Sequence, residues 1–250
     1  MNIRFLAYLL LLARGTAHGQ ANTGVRLDFQ FSRIVLANGD TLAGPVAMHY
    51  ATDVLYLAQP DGTVRNLVPG MVAAFAVQGE KFATGQGRYR VARAADPTVL
   101  RLFRTLPWNG EHPDQRPEPY FFEQLAEGPV LLLRRQFLVP RQVALNMAGP
   151  AHGGGLSRSL PVAPGKLPVV DIAPVQFRTV NELQDVFYLA WPTGEIRALR
   201  NPRKDLLAAF PEQAQQLQAY ARAQGLGFAT ARELHELVSY ANSLASAAKP

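Results

Sequence analysis

The stretch Asp53-Val-Leu-Tyr-Leu-Ala-Gln-Pro-Asp-Gly-Thr-Val-Arg-Asn-Leu67 returns 132 residues later as Asp185-Val-Phe-Tyr-Leu-Ala-Trp-Pro-Thr-Gly-Glu-Ile-Arg-Ala-Leu199, with nine of fifteen positions identical. Each copy is an apolar run, a Pro-x-Gly turn and a second apolar run. That is the sequence signature of a β-hairpin whose turn glycine takes the left-handed conformation. A chain that repeats a hairpin repeats a unit that must bury one face against something else, so the repeat predicts a sheet protein. The shared apolar positions Val54, Leu57, Ala58 and Leu67, repeated as Val186, Leu189, Ala190 and Leu199, account for most of the identity through core packing. Tyr56 and Tyr188 are expected in the core with a polar tip. Arg65 should stand across from Leu57, with Asp53 too far along the same hairpin to meet it, and Arg197 and Asp185 repeat that relation. The two hairpins are predicted to superimpose, with Gly62 and Gly194 in equivalent turns.

The first residues have the three-part form of a secretory signal peptide: a cationic start ending at Arg4, an apolar run Phe5–Ala13 and an exit of small residues. Nine helical residues span ~14 Å, under half of a ~30 Å hydrocarbon layer. The run is therefore too short to act as a membrane span. Ala17 and Gly19 carry the small side chains a signal peptidase requires, which places cleavage between Gly19 and Gln20; Ala21 is the alternative end, and a retained anchor is the competing reading. The chain is expected in the periplasm or outside the cell.

The 250 residues include no cysteine, so disulfides, thiolate metal sites and a lipid-anchored cysteine are excluded. Loss of the leader removes two arginines and no acid, lowering the formal net charge from +6 to +4. A charge of that size favours solubility over nucleic-acid binding. Arginine outnumbers lysine 21 to 4, a bias that goes with abundant alanine and a GC-rich coding sequence.

Residues 20–145 read as an antiparallel β region. Asn38-Gly39 between two β-rich runs is a strong hairpin signal, and Met71–Val77, Arg88–Ala92 and Val99–Phe103 continue as strands. Arg88, Arg90 and Arg101, with Arg93 and Arg104 one step out of phase, are expected as a row of guanidinium groups on a solvated sheet face, with an anion-binding stripe as the alternative. Thr105–Pro119 carries four prolines and reads as a long loop, and Glu127-Gly128 as a turn between two buried runs. Residues 146–168, with five glycines and four prolines, read as a linker or long loop. Residues 169–250 contain the second hairpin and then two helices. The first starts near Pro211 and ends at Gly225 or Gly227. The second opens with the capping box Thr230-Ala-Arg-Glu233 and shows Leu234, Leu237, Val238, Ala241 and Leu244 on one face. The expected fold is α+β: an antiparallel hairpin meander, as a twisted sheet or partly open barrel, with a C-terminal helix pair docked on it.

Motifs for chemistry are sparse. His49, His112, His152 and His235 stand at no metal-ligand spacing. His152-Gly-Gly-Gly155 has the form of an oxyanion-hole segment, but neither Ser157 nor Ser159 sits in the Gly-x-Ser-x-Gly elbow such an enzyme needs. Ser246-Ala-Ala-Lys249 lacks companion motifs, and no phosphate-binding glycine loop occurs. Neither cofactor nor metal is called for. Among the carboxylates, Asp61, Glu123 and Asp185 are the candidates for a hydrolytic site assembled only by the fold.

The combination Asn38-Gly-Asp-Thr-Leu-Ala-Gly44, Glu123-x-Leu125-x-x-Gly128-x-Val130, Tyr188-Leu before a Pro-x-Gly turn, Arg203-Lys-x-Leu-Leu-x-x-Phe210 and Tyr240-Ala-Asn242 resembles a group of exported proteins of the Bacteroidetes type. The resemblance implies an envelope location and brings no activity and no site residues with it. The sequence thus predicts an exported, non-enzymatic envelope protein that binds another protein, a glycan or the inner face of the outer membrane, without a transmembrane span in its mature part. The alternative is a carboxylate-based hydrolase.

Overall fold

A computed structural model describes residues 26–49, 52–82, 89–90, 98–110, 112, 114–145 and 176–247. The predicted leader with its expected Gly19/Gln20 junction, the 146–168 segment with His152 and both serines, and the chain terminus with Lys249 lie outside the described residues. The fold is α+β. Among the described residues twelve strands form one sheet: β1 (Arg26–Leu36), β2 (Thr41–Ala43), β3 (Val46–His49), β4 (Val54–Ala58), β5 (Val64–Leu67), β6 (Val72–Phe82), β7 (Tyr89–Arg90), β8 (Arg101–Trp108), β9 (Glu118–Ala126), β10 (Leu131–Leu145), β11 (Gln176–Ala190) and β12 (Ile196–Ala198). The order across the sheet is β12-β11-β10-β9-β8-β6-β1-β3-β4-β5, with β2 added to β1 and β7 lying parallel against β11. Every other pairing is antiparallel, and the two ends of the order do not meet, so the sheet is open rather than a closed barrel.

The two repeat copies occupy its opposite edges. In the first hairpin Leu57 pairs with Arg65, and in the second Leu189 pairs with Arg197, the same register. The turns match bond for bond. The Gly62 N–H donates to the Gln59 carbonyl at 3.0 Å and the Gly194 N–H to Trp191 at 2.9 Å; Gln59 N–H reaches Thr63 and Trp191 N–H reaches Glu195. Both glycines have positive φ, +83° and +87°, where any side chain is strained. The correspondence extends one strand inward, since Val46 stands opposite Leu57 as Leu132 stands opposite Leu189.

Alternation along the strands divides the sheet into two faces. The inner face carries two cores. One, around Leu27, Phe29, Ile34, Leu55, Leu67, Phe75, Phe103 and Phe121, lies within the first half of the chain and extends onto β8 and β9. Phe75 stacks on Phe103 at 4.5 Å and meets Phe121 edge-on at 5.1 Å. The other joins Leu132, Phe187, Leu189 and Leu199 to three helices. The predicted pair is present as α2 (Ala214–Gln224) and α3 (Ala231–Ala247), preceded by a shorter α1 (Pro202–Ala209). The Asn201 side chain caps α1 by accepting from the Lys204 N–H at 3.4 Å, with Pro202 in its first turn, and such caps contribute ~1 kcal/mol. Helix α2 ends at Gly225 in the left-handed conformation. The capping box of α3 is formed in both directions: Glu233 N–H donates to Thr230 Oγ1 at 3.3 Å, and Thr230 N–H to the Glu233 carboxylate at 2.9 Å.

Two expectations change. The 105–119 segment is strand at its two ends, where Thr105–Trp108 and Glu118–Pro119 extend the β8–β9 ladder and Pro107 faces Pro119; the described residues between them, 109, 110, 112 and 114–117, are outside the strands. Arg101 is not on a solvated face. It is 6% exposed on the inner face, while Arg104 is exposed on the outer one. Arg88 and Arg93 lie outside the described residues.

Candidate functional site

Where the two inner cores meet, four neighbouring strands, β8 to β11, contribute charged or amide side chains to a closed ring. Arg101 on β8 forks onto Glu123 of β9, Nε to Oε1 at 3.0 Å and Nη2 to Oε2 at 2.7 Å. Glu123 Oε2 also accepts from Arg134 of β10, whose Nη1 donates to Asp185 of β11 at 3.1 Å. Gln136 Nε2 donates to Asp185 at 2.7 Å, and Gln136 Oε1 accepts from Arg101 at 3.1 Å, closing the ring. Glu80 of β6 pairs with Arg101 from outside it at 2.9 Å. Arg101 also lies over the Phe29 and Phe103 rings at 5.8 and 5.2 Å. Forked arginine–carboxylate pairs in a desolvated setting hold their geometry firmly, and here they fix the register of five strands.

Beyond the Glu123–Arg134 pair β9 and β10 part, and Asp53 fills the gap. Its carboxylate accepts from Arg135 Nη2 at 2.8 Å and from the Phe121 N–H. Asp53 has a φ of +49°, a left-handed conformation that Asp tolerates better than most residues. Arg135 is surrounded on its other sides by Trp108, Tyr120, Phe122 and Phe137, with ring centroids 4.7–5.4 Å from the guanidinium carbon. The aspartate shared by the two repeat copies therefore has a partner in both cases, but across the sheet: Asp53 takes Arg135 and Asp185 takes the adjacent Arg134.

Burial and charge act oppositely on the two acids here. Burial drives the Glu123 carboxyl upward, but the guanidinium groups of Arg101 and Arg134 outweigh it and hold Glu123 below the usual carboxylate range. Burial pushes Asp53 up, and Arg135 with the Phe121 N–H offsets only part of that. Both residues line a cavity with Met48, Phe103, Phe121, Arg134, Arg135 and Gln136, in which the centre of a water molecule has about 10 Å³ to occupy. That is room for one water.

Of the three carboxylates singled out from sequence, the fold joins Glu123 and Asp185 on a single guanidinium. Asp61 sits exposed at the tip of the first hairpin, tied to the Thr63 N–H and hydroxyl at 2.9 and 2.6 Å. Asp53, Arg101 and Arg134 were missed as site residues; the signal available was the aspartate conserved between the two hairpins without a partner inside either. His49 is buried, with Nδ1 2.9 Å from the Thr52 hydroxyl and no partner on Nε2 among the described residues, and desolvation lowers its pKa. His235 Nδ1 lies 2.7 Å from the Leu125 carbonyl, tying α3 to β9. Among the described residues no group of three or more His, Asp or Glu is arranged to hold a metal ion, and no helix is long and apolar enough to cross a membrane.

The outer face is different in character. At β1, β6 and β8 it presents Phe31 (65% exposed), Val35, Leu102 and, just before β8, Leu100 (66% exposed). Further along, Phe122, Leu133, Tyr188 and Ala190 form a small outer core whose rings meet edge-on with Trp108. Tyr188 is thus buried, while its counterpart Tyr56 is only half-buried.

No protein-family model, no curated protein and no solved structure matches the chain.

Proposed function

We propose that the protein is exported to the cell envelope and acts there as a non-enzymatic binding or structural module, as the leader and the resemblance to exported proteins imply. The observation that carries the binding role is the apolar outer face around Phe31, Val35, Leu100 and Leu102; grouped exposed apolar residues on a soluble protein mark interaction surfaces. The inner charges support it too, because the ring carboxylates are engaged by arginines or by Gln136. Fractionation of expressing cells, with N-terminal sequencing of the recovered protein, tests the location. The expected product begins at Gln20 and is released with the periplasmic or extracellular fraction. Recovery of uncleaved chain in the cytoplasm would refute it.

One observation favours a hydrolase instead. Asp53 and Glu123 line the same cavity with pKa values displaced in opposite directions, the condition under which one carboxyl donates a proton and the other stays ionised. Against it, the cavity admits one water and Asp53 is bound by Arg135. A panel of ester, glycoside and peptide substrates decides between the readings. The binding module predicts no turnover; turnover abolished in both Asp53→Asn and Glu123→Gln would establish the enzyme.

A further inference from the structure

We infer that the outer face of β1, β6 and β8 is a docking trough for an amphipathic helix that carries carboxylates on both flanks of its apolar ridge. This rests on the reading of the protein as a binding module and names the partner chemistry of its exposed face.

The register builds the trough. Arg33, Ala76 and Leu102 stand in one cross-strand row, and Val35, Ala74 and Arg104 in the next. Residues paired in this way point to the same side of a sheet. In these two rows the floor is alanine, Ala74 and Ala76 on β6, and in the Phe31 row Gln78 closes its end, its amide donating to the Thr98 carbonyl at 3.1 Å. One wall is Phe31, Arg33 and Val35 on β1, and the other is Leu102 and Arg104 on β8, with exposed Leu100 preceding it. Two inter-strand spacings, ~9.6 Å, separate the wall backbones, close to the ~10 Å width of a helix with its side chains. Alanine below and longer side chains on both sides give a recess that a ridge fills. A flat lipid surface would leave the floor uncovered.

Charge selects the occupant. Arg33 and Arg104 are exposed, stand on opposite walls, and neither is paired with a carboxylate among the described residues. No acidic side chain occurs in the two rows. Along the strands the arginines are offset by two residues, ~6.7 Å, comparable to the ~5.4 Å pitch of a helix. Carboxylates about one turn apart on the two flanks of an apolar ridge would meet both. A second copy of the same face would set arginine against arginine, which argues against self-association.

The test uses the mature full-length protein and a synthetic helical peptide of about 18 residues with leucines at i, i+3, i+4 and i+7 flanked by glutamates. Fluorescence anisotropy should show saturable binding with a Kd on the order of micromolar, weakened by salt. The same peptide with lysine for every glutamate should not bind. Ala76→Glu, which fills the floor and adds a like charge, should weaken binding by about tenfold or more. The pair Arg33→Glu and Arg104→Glu, both exposed, should do the same with thermal unfolding unchanged, and serves if Ala76→Glu fails to fold. The inference is overturned if the acidic peptide does not bind, if a scrambled peptide binds equally, or if neither variant changes the affinity. Equal-part phosphatidylglycerol and phosphatidylcholine vesicles form the other arm: binding to them in preference to the peptide would make the face a lipid-contact surface and reject the helix. Substrate turnover lost in Asp53→Asn would sink the binding-module reading whatever the peptide does, whereas peptide failure without turnover sinks only the trough.

Discussion

At the scale of single residues, the decisive feature is that Glu123 is shared by two guanidinium groups in a setting nearly closed to water. Glu123→Gln removes one charge and leaves Arg101, 6% exposed, without its forked partner. Loss of one member of a buried ion pair costs about 3 kcal/mol or more, so urea unfolding should shift to a clearly lower midpoint. The pH dependence follows from the same groups. Glu123 is depressed by its arginines, and Glu233 is held down to about 2 by the N–H groups of Ala229 and Thr230. Their contribution is complete above the ordinary glutamate value of 4.5 and is lost as the pH falls through the lower folded values. Asp53 is raised by burial, so its contribution is complete below the ordinary 3.8 and is lost as the pH rises through its folded value. The two tendencies oppose one another between the two ordinary values, 3.8 and 4.5. Urea midpoints measured from about pH 3 to 7 should therefore rise more steeply in Asp53→Asn than in the wild type above about pH 4, and less steeply in Glu233→Gln below about pH 4.5.

At the scale of elements, the turn between β9 and β10 is tied to α3 by one side chain. Asn242 accepts from the Val130 N–H at 3.1 Å and donates to the carbonyls of Glu127 and Val130 at 3.0 and 2.8 Å. Gly128 in that turn has a φ of +134°, and a Cβ there would lie 2.5 Å from Asn242 Nδ2. Gly128→Ala should therefore cost more than ~2 kcal/mol, through a forbidden conformation and a clash together. Gly62→Ala and Gly194→Ala meet nothing within 4 Å, so they should each cost only ~1 kcal/mol, and equally. Unequal costs in thermal unfolding would show that the hairpin turns are not equivalent. The fragments Glu123-x-Leu125-x-x-Gly128-x-Val130 and Tyr240-Ala-Asn242, both legible in the sequence, are the two sides of this contact. Helix α1 is not legible as a helix because its 8 residues are too few to repeat an apolar face, and only Leu206 is buried.

At the scale of the whole molecule, the segment before β8 does not own its core. Phe103 and Phe121 from β8 and β9 complete the cluster that contains Leu27 and Phe75, and Asp53 bonds across to β10. Cutting the chain between β7 and β8 should leave the N-terminal piece unfolded when expressed alone, with structure recovered on mixing with the C-terminal piece. Circular dichroism of each piece and of the mixture reads this directly, and an independently folded N-terminal piece would contradict it. The sheet keeps both repeat hairpins at its edges, where short strands and the exposed arginines Arg65 and Arg197 discourage pairing with other chains.

The sequence alone determined the hairpins, their turn glycines, the two C-terminal helices and the α+β class, because each depends on residues close together in the chain: period-two burial, Pro-x-Gly geometry and a capping box. It did not determine that Asp53 and Asp185, alike in sequence, reach adjacent arginines on one strand, nor that Arg101 is buried while Arg104 is exposed. Those outcomes depend on which strands become neighbours across long stretches of chain, with Arg135 lying 82 residues from Asp53, Arg134 51 from Asp185 and Glu123 22 from Arg101. Alternation assigns each side chain to a face, but only strand order and curvature decide whether that face meets a second core, a guanidinium or water.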